Sequence, residues 1–447
     1  MHYTEGDINF SEARARWQEL QTHKETQQLL EDDARYFLHQ SLSTPCLDVI
    51  EHASGSYIHT KSGKAILDFH GNNVHQVGFG NPVLIDALKD QMDKLSFCSR
   101  RYTNEHAVST ARTLAGLLPG DLNRCLFAPG GTTAIGMAIK LARIVTGKHK
   151  IISCWDSFHG ASLDAISAGG EAIFRKGLGL LMPGVERVPP AVSYRSFFGD
   201  QIHNDTIYAD YIEYVIEKEG DIGAVLIETI RNTDVQIPSK AYWKKVREIC
   251  DRHEALLILD EIPIALGRTG RMFAFEHFDI EPDIICLGKG LGGGIIPFAA
   301  MVTRDTFNVA TDVSIGHYTH EKSPLGAVAA KTTIDFILGE HILEKVAQDE
   351  VYVAGRMQNL FIENEIIGDI RGKGLLWGIE LVTDRGTKKR ATDSAEKLMY
   401  HCLNDGLSFK VSQGNVLQLS PPLTISRDEL EQAFSILEQN IKRLTKN

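Results

Sequence analysis

The chain has 447 residues, with 47 Lys and Arg against 58 Asp and Glu and a formal net charge of -11. At roughly 150 residues per domain that length accommodates two or three units, and the acidic balance excludes a nucleic-acid binder that relies on bulk positive charge. With 43% hydrophobic and 23% charged residues the composition is that of a soluble globular protein, which excludes a disordered chain.

The opening residues, Met1-His-Tyr-Thr-Glu-Gly-Asp7, form neither a basic n-region nor an apolar h-region. No later stretch reaches the roughly 18 uninterrupted apolar residues of a spanning helix, so a cytoplasmic location without membrane association is expected. Polar residues with scattered apolar positions from Phe10 to Gln40 predict one or two surface helices, and Ile50 to Phe69 reads as a short-strand meander. From Cys125 short apolar runs alternate with helix-period segments. The predicted elements are a strand over Cys125–Ala128, a helix over Thr132–Thr146, a strand over Lys150–Cys154, a helix near Tyr208–Lys218, a strand over Gly223–Thr229, a helix near Lys240–His253 and a strand over Ala255–Asp260. Further strands are expected at Asp283–Leu287 and Phe298–Thr303. This alternation predicts an α/β domain with a mostly parallel sheet. Beyond Pro324 two long helices precede strands at Leu375–Val382, Ser408–Val411 and Asn415–Leu419 and a helix from Arg427 to about Leu444. That part reads as a smaller α+β domain. The expected division is an N-terminal segment over 1–75 packing with the small domain, a large domain over 76–325 and the small domain over 326–447.

Seven cysteines at widely spaced positions, with no C-x-x-C pair, argue against a disulfide scaffold or zinc cluster. The 39 glycines outnumber the 14 prolines and suggest many tight turns and close backbone approaches. Chemistry concentrates at four strand ends. Asp260 ends a buried-strand pattern, where ligands of parallel sheets gather; the same pattern also suits a metal-binding phosphotransferase or a plain helix cap. Lys289 lies in Cys286-Leu-Gly-Lys-Gly-Leu-Gly-Gly-Gly294 and suits a Schiff base once burial lowers its pKa, a loop lysine, or a phosphate clamp without Walker spacing. Pro129-Gly-Gly-Thr-Thr133 opens a helix and offers amides to an anion, or only an N-cap. Phe158 follows another strand and could stack on a planar ring or fill the core.

A carboxylate, a lysine, an anion-binding turn and an aromatic platform are what a pyridoxal 5'-phosphate site needs. With Leu259-Asp-Glu-Ile262, Gly267-Arg-Thr-Gly-Arg271, Phe273-Ala-Phe-Glu-His277, Glu281-Pro-Asp-Ile284, Gly288-Lys-Gly290 and Ser420-Pro-Pro-Leu423 in order, the chain resembles the class III (ω-amino acid) aminotransferases over nearly its whole length. The resemblance implies the pyridoxal phosphate fold type I, with a seven-stranded sheet in the large domain. It implies that Lys289 holds the cofactor as a Schiff base and Asp260 pairs with the pyridine nitrogen. Ile262 and Phe158 would cover the two ring faces, with His159 beside them. Gly131 and Thr132 would bind the phosphate, joined by Thr319 from a neighbouring subunit, so a homodimer with shared active sites is implied. Glu228 matches a glutamate near the substrate amine. His317 and His320 are not expected to bind metal, since only Glu321 lies near them in sequence.

Three departures from the family pattern border this site. The arginine of R-x-x-P-P-L, which binds a substrate carboxylate, is Gln418 here; a neutral amide cannot replace a fork-shaped cation. Pro263 stands where a glutamine usually donates to the cofactor, and Glu228-Thr-Ile-Arg-Asn232 replaces E-P-x-Q-G and brings in Arg231. Phe158-His-Gly-Ala-Ser-Leu-Asp-Ala-Ile166, Gly169-Gly-Glu171 and Gly316-His-Tyr-Thr-His-Glu-Lys-Ser-Pro324 resemble the lyases of this family that release ammonia from a hydroxylated aminophosphonate. That likeness implies a pyridoxal phosphate-dependent lyase, with Arg100, Arg101, Arg231, Lys322 and Gln418 as candidate substrate contacts. The alternatives are an ω-aminotransferase using a keto acid, a phospho-lyase acting on ethanolamine phosphate, and a non-enzymatic regulator that binds the cofactor.

Overall fold

The computed structural model describes residues 11–21, 23–199 and 204–445, so Met1–Asp7 and Phe10 lie outside the described residues. Seven strands form the central sheet, in the spatial order Leu122–Ala128, Ala299–Arg304, Ile284–Leu287, Leu256–Asp260, Ile222–Glu228, Lys150–Cys154 and Val185–Val188. From Ile284–Leu287 to Val185–Val188 every neighbour is parallel, while Ala299–Arg304 runs antiparallel to both of its neighbours. All residues of Ile222–Glu228 and Leu256–Asp260 are buried. A strand covered by helices on both faces must be apolar throughout, which is why these segments read as continuous runs rather than alternating ones. The α/β fold with a mostly parallel seven-stranded sheet is therefore as expected.

Two further sheets flank the first. Ile50–Ser54, Tyr57–Thr60 and Ala65–Asp68 form the expected meander, and Leu407–Ser408 adds to it in parallel, so the N-terminal part is sewn to the C-terminal part. The small sheet orders Ile367–Lys373, Leu376–Asp384, Val416–Leu419 and Lys410–Ser412, with Lys389–Arg390 paired to Leu376–Asp384. The single strand expected over Ser408–Val411 is thus two strands in two sheets. Hydrogen-bond partners, which periodicity does not encode, divide it at Phe409. Strands Val185–Val188 and Ile367–Lys373, and helices Pro82–Lys94, Glu105–Leu117 and Thr392–Asn404, lie where none was assigned. Val185-Glu-Arg-Val188 is a charged edge strand and Ile367–Lys373 carries two glycines; both become strands through the neighbour they pair with. Among the described residues no helix is long and apolar enough to cross a membrane.

Two buried charges brace the loop that follows Asp260. Glu261 accepts from Thr229 Oγ1 (2.9 Å), Ala274 N (2.7 Å) and Phe275 N (2.8 Å). Arg268, fully buried, donates to the carbonyls of Leu375 (3.1 Å) and Pro421 (2.5 Å), and burial pushes its pKa down to about 9. It thereby ties the loop to the segments around Leu375 and Pro421. Burial pushes the Glu261 carboxyl up to about 7 from 4.5, against the pull of its three donors. A carboxyl raised on folding contributes stability that is full below its unfolded pKa and lost as pH rises through the folded one. Replacing Glu261→Gln should therefore remove up to about 3 kcal/mol of the stability loss between about pH 4.5 and 7. Urea unfolding of both proteins at about pH 5 and pH 8 measures this, and equal slopes would refute it.

Candidate active site

The parallel register lays Glu228 opposite Asp260 and Asp260 opposite Cys286, so three carboxyl-terminal strand ends meet at one level. Asp260 is 2% exposed. A carboxylate there stays charged only if its oxygens are satisfied. His159 Nδ1 lies 2.8 Å from Oδ2, and the Ile262 amide donates to Oδ1 at 3.0 Å. The other ring nitrogen of His159 is 3.3 Å from Ser153 Oγ, which fixes the imidazole plane. Glu228 is also buried; its oxygens accept from Phe158 N (3.2 Å) and Asn232 N (3.1 Å). Burial raises its pKa, helped by the charge of Asp260 and opposed by His159 and the two amides.

Lys289 follows the Ile284–Leu287 strand and adopts φ +47°, a left-handed conformation uncommon for a side chain of its size. Burial lowers its pKa; Asp260 and Glu228 act in the opposite direction, and Lys410 adds to the lowering. The turn is tightly enclosed, since a Cβ at Gly290 would come 1.5 Å from Gln76 Oε1, and the Gln76 amide donates to Ala265 O at 3.2 Å. A side chain at Gly290 would have to displace the Gln76 amide.

Opposite this lysine, the helix Gly131–Thr146 begins at Gly130 with no side-chain cap on its first turn. A Cβ at Gly131 would meet Ile262 Cδ1 at 2.7 Å, and one at Gly288 would meet Ile262 Cγ2 at 3.2 Å. Ile262 therefore sits between the helix end and the lysine turn. Thr132 Oγ1 accepts from Ala161 N at 3.2 Å, and Gly160, at φ +128°, would place a Cβ 2.3 Å from that oxygen. Phe158 packs at 4.5 Å between ring centroids on Phe174.

Asp260, Glu228, Lys289, His159, Ile262, Phe158, Gly131 and Thr132 thus gather at one place. The remaining expected residues do not. Thr319, with His317 and His320, lies in an exposed loop, and the His320 ring meets the Phe97 ring edge-on at 5.4 Å. Arg100 and Arg101 are exposed in the turn before Glu105–Leu117, while the carbonyl of Lys322 accepts from Asn104 Nδ2 at 3.0 Å. Arg231 is buried, and its Nε donates to Asp234 Oδ1 at 2.5 Å while its Nη2 pairs with the other oxygen. That fork is occupied by a carboxylate of the chain itself. Gln418 is 1% exposed, and neither amide atom has a hydrogen-bond partner. Sequence reasoning missed Gln76 and Lys410; no motif marks either, and only the tertiary contacts bring them near Lys289.

A family model described as aminotransferase class-III matches residues 39–441. The chain is 57% identical to the (R)-1-hydroxy-2-aminoethylphosphonate ammonia-lyase of Vibrio splendidus (strain 12B01), covering 99% of this chain and 96% of that protein. Among solved structures, an (S)-enantioselective omega-transaminase from Thermomicrobium roseum superposes with a TM-score of 0.87 at 26% identity, over 94% of this chain and 98% of that one. The taurine:2-oxoglutarate aminotransferase of Bifidobacterium kashiwanohense, solved in complex with PLP and glutamate, gives 0.88 at 25% identity, with 94% and 98% covered.

The residues present fit pyridoxal phosphate. An uncapped helix end suits its phosphate, glycines clear the space around Ile262 and Thr132, and a half-buried lysine and a buried carboxylate follow neighbouring strands beside them. Gly160→Ala closes that space and strains a left-handed position, so affinity for added pyridoxal phosphate should fall on the order of 10-fold or more. Absorbance titration of the cofactor-free protein measures this, and unchanged affinity would refute the cradle.

Proposed function

The chain belongs to the class-III aminotransferase family, and from that premise we propose that it is a pyridoxal 5'-phosphate-dependent ammonia-lyase converting (R)-1-hydroxy-2-aminoethylphosphonate to phosphonoacetaldehyde and ammonia. The observation that carries this reading is the near full-length identity to the Vibrio splendidus enzyme of that name. Gln418 supports it independently. A transaminase must take back the amino group onto a keto acid, and a dicarboxylate acceptor needs a fork-shaped cation. Position 418 holds a neutral amide instead.

Pyridoxal phosphate, when bound, supplies the electron sink for the pair left when the proton beside the amine is removed. The chain's residues do the rest. His159 and the Ile262 amide fix the Asp260 carboxylate in place, where it would pair with the cofactor's ring nitrogen. Burial lowers the pKa of Lys289, so its amine would hold the cofactor and, when free, would serve as general base. Glu228, whose carboxyl burial pushes up, lends a proton to the departing hydroxyl. In the net reaction the C–N bond breaks, hydroxide leaves as water, and a second water supplies the aldehyde oxygen as ammonia departs.

The Thr319 loop is exposed on a single chain, which supports a homodimer in which Thr319 completes the phosphate site of the partner subunit. All seven cysteines are free, which suits a reducing cytoplasmic setting. The purified protein should release ammonia from the hydroxylated aminophosphonate with no keto acid present; strict dependence on a keto acid would replace this reading with a transaminase. Lys289→Ala should abolish the absorbance of the bound cofactor's Schiff base and lower turnover by at least about 1000-fold. Persistence of both would overturn the role of Lys289.

A further inference from the structure

The proposed substrate is an anion, yet the cations singled out in the sequence are poorly placed to meet it. Arg231 is committed to Asp234, and Arg100 and Arg101 lie exposed in a turn. The small sheet offers another. Lys410 pairs directly with Gln418 on the antiparallel strand, and Gln418 pairs directly with Gly378. Residues directly opposite in an antiparallel ladder share one face of the sheet. That face looks toward the catalytic loop, because a Cβ at Gly378 would come 3.2 Å from Val235, seven residues after Glu228.

Lys410 also lines a cavity of about 510 Å³ together with His70 and Asn72. Its charge lowers the pKa of both His70 and Lys289, after the larger effect of burial in each case. Beside it, the Gln418 amide is buried with both polar atoms unpartnered, and a ligand's acceptor oxygen would satisfy its Nε2 donor.

We propose that Lys410 binds the phosphonate group of the substrate, with the Gln418 amide beside it, so that the cation missing at position 418 is supplied from the adjacent strand. The site takes small phosphonate or phosphate dianions. A lysine there meets a tetrahedral dianion as a point charge. This assignment rests on the ammonia-lyase reading for the identity of the substrate, and on the sheet geometry for the site.

The test compares the wild-type holoenzyme with Lys410→Met and Lys410→Arg, each first shown by absorbance to retain cofactor. In Lys410→Met the KM for the aminophosphonate should rise at least about 10-fold while kcat changes less, and Lys410→Arg should recover part of the loss. Methylphosphonate should inhibit the wild type competitively and perturb its cofactor spectrum, and Lys410→Met should weaken both effects by a similar factor. Unchanged KM and unchanged methylphosphonate binding in Lys410→Met would overturn the assignment, as would failure of methylphosphonate to bind the wild type. Should the wild type release no ammonia from any aminophosphonate, the functional reading fails, and the methylphosphonate titration still decides the role of Lys410.

Discussion

A buried carboxyl group with almost no access to water is the constraint on which this site depends. Asp260 is held by a histidine and a backbone amide, and each partner commits further structure. The histidine requires Ser153 and the turn after Cys154. The amide belongs to Ile262, whose side chain leaves no room for a Cβ at Gly131 and little at Gly288. One buried carboxyl group thus positions the helix end that suits a phosphate and the turn that presents Lys289. Glu228 joins them through strand register alone, since it lies opposite Asp260 on the neighbouring parallel strand.

The same low-dielectric surroundings set the protonation of the two groups beside Asp260. Burial disfavours charge on Lys289 and on Glu228, so one is pushed toward the free amine and the other toward the neutral acid. Cations are rationed in such a place, because every buried guanidinium must be answered. Arg231 is answered by Asp234 and Arg268 by carbonyls, and both serve architecture. Lys410 instead lines a cavity.

Long apolar runs and regular helices were legible because burial on both faces, or on one helical face, writes directly into residue order. Leu256–Asp260, Ile222–Glu228 and Lys240–His253 were found within a residue or two for that reason. Val185–Val188 and Ile367–Lys373 were not, since their strand character comes from the neighbour rather than from their own residues. The strand that divides at Phe409 failed similarly. Its two halves differ in partner, not in pattern, and Lys410 faces the catalytic loop only because its half joins the small sheet.

At the site, the acidic length of chain with its many glycines determined a great deal by itself. The residue types Asp260, Lys289, Gly131 and Thr132 name their chemistry, because a Schiff base needs an amine, a pyridinium a carboxylate, and a phosphate a bare helix end. Their mutual placement, the partners that hold Asp260, the commitment of Arg231 and the approach of Lys410 were decided by tertiary structure alone. Hydrogen bonds and Coulomb forces act across space, between residues that the chain brings together from positions as far apart as His159 and Asp260, or Lys289 and Lys410. Sequence order records which groups are available, and folding decides which of them meet.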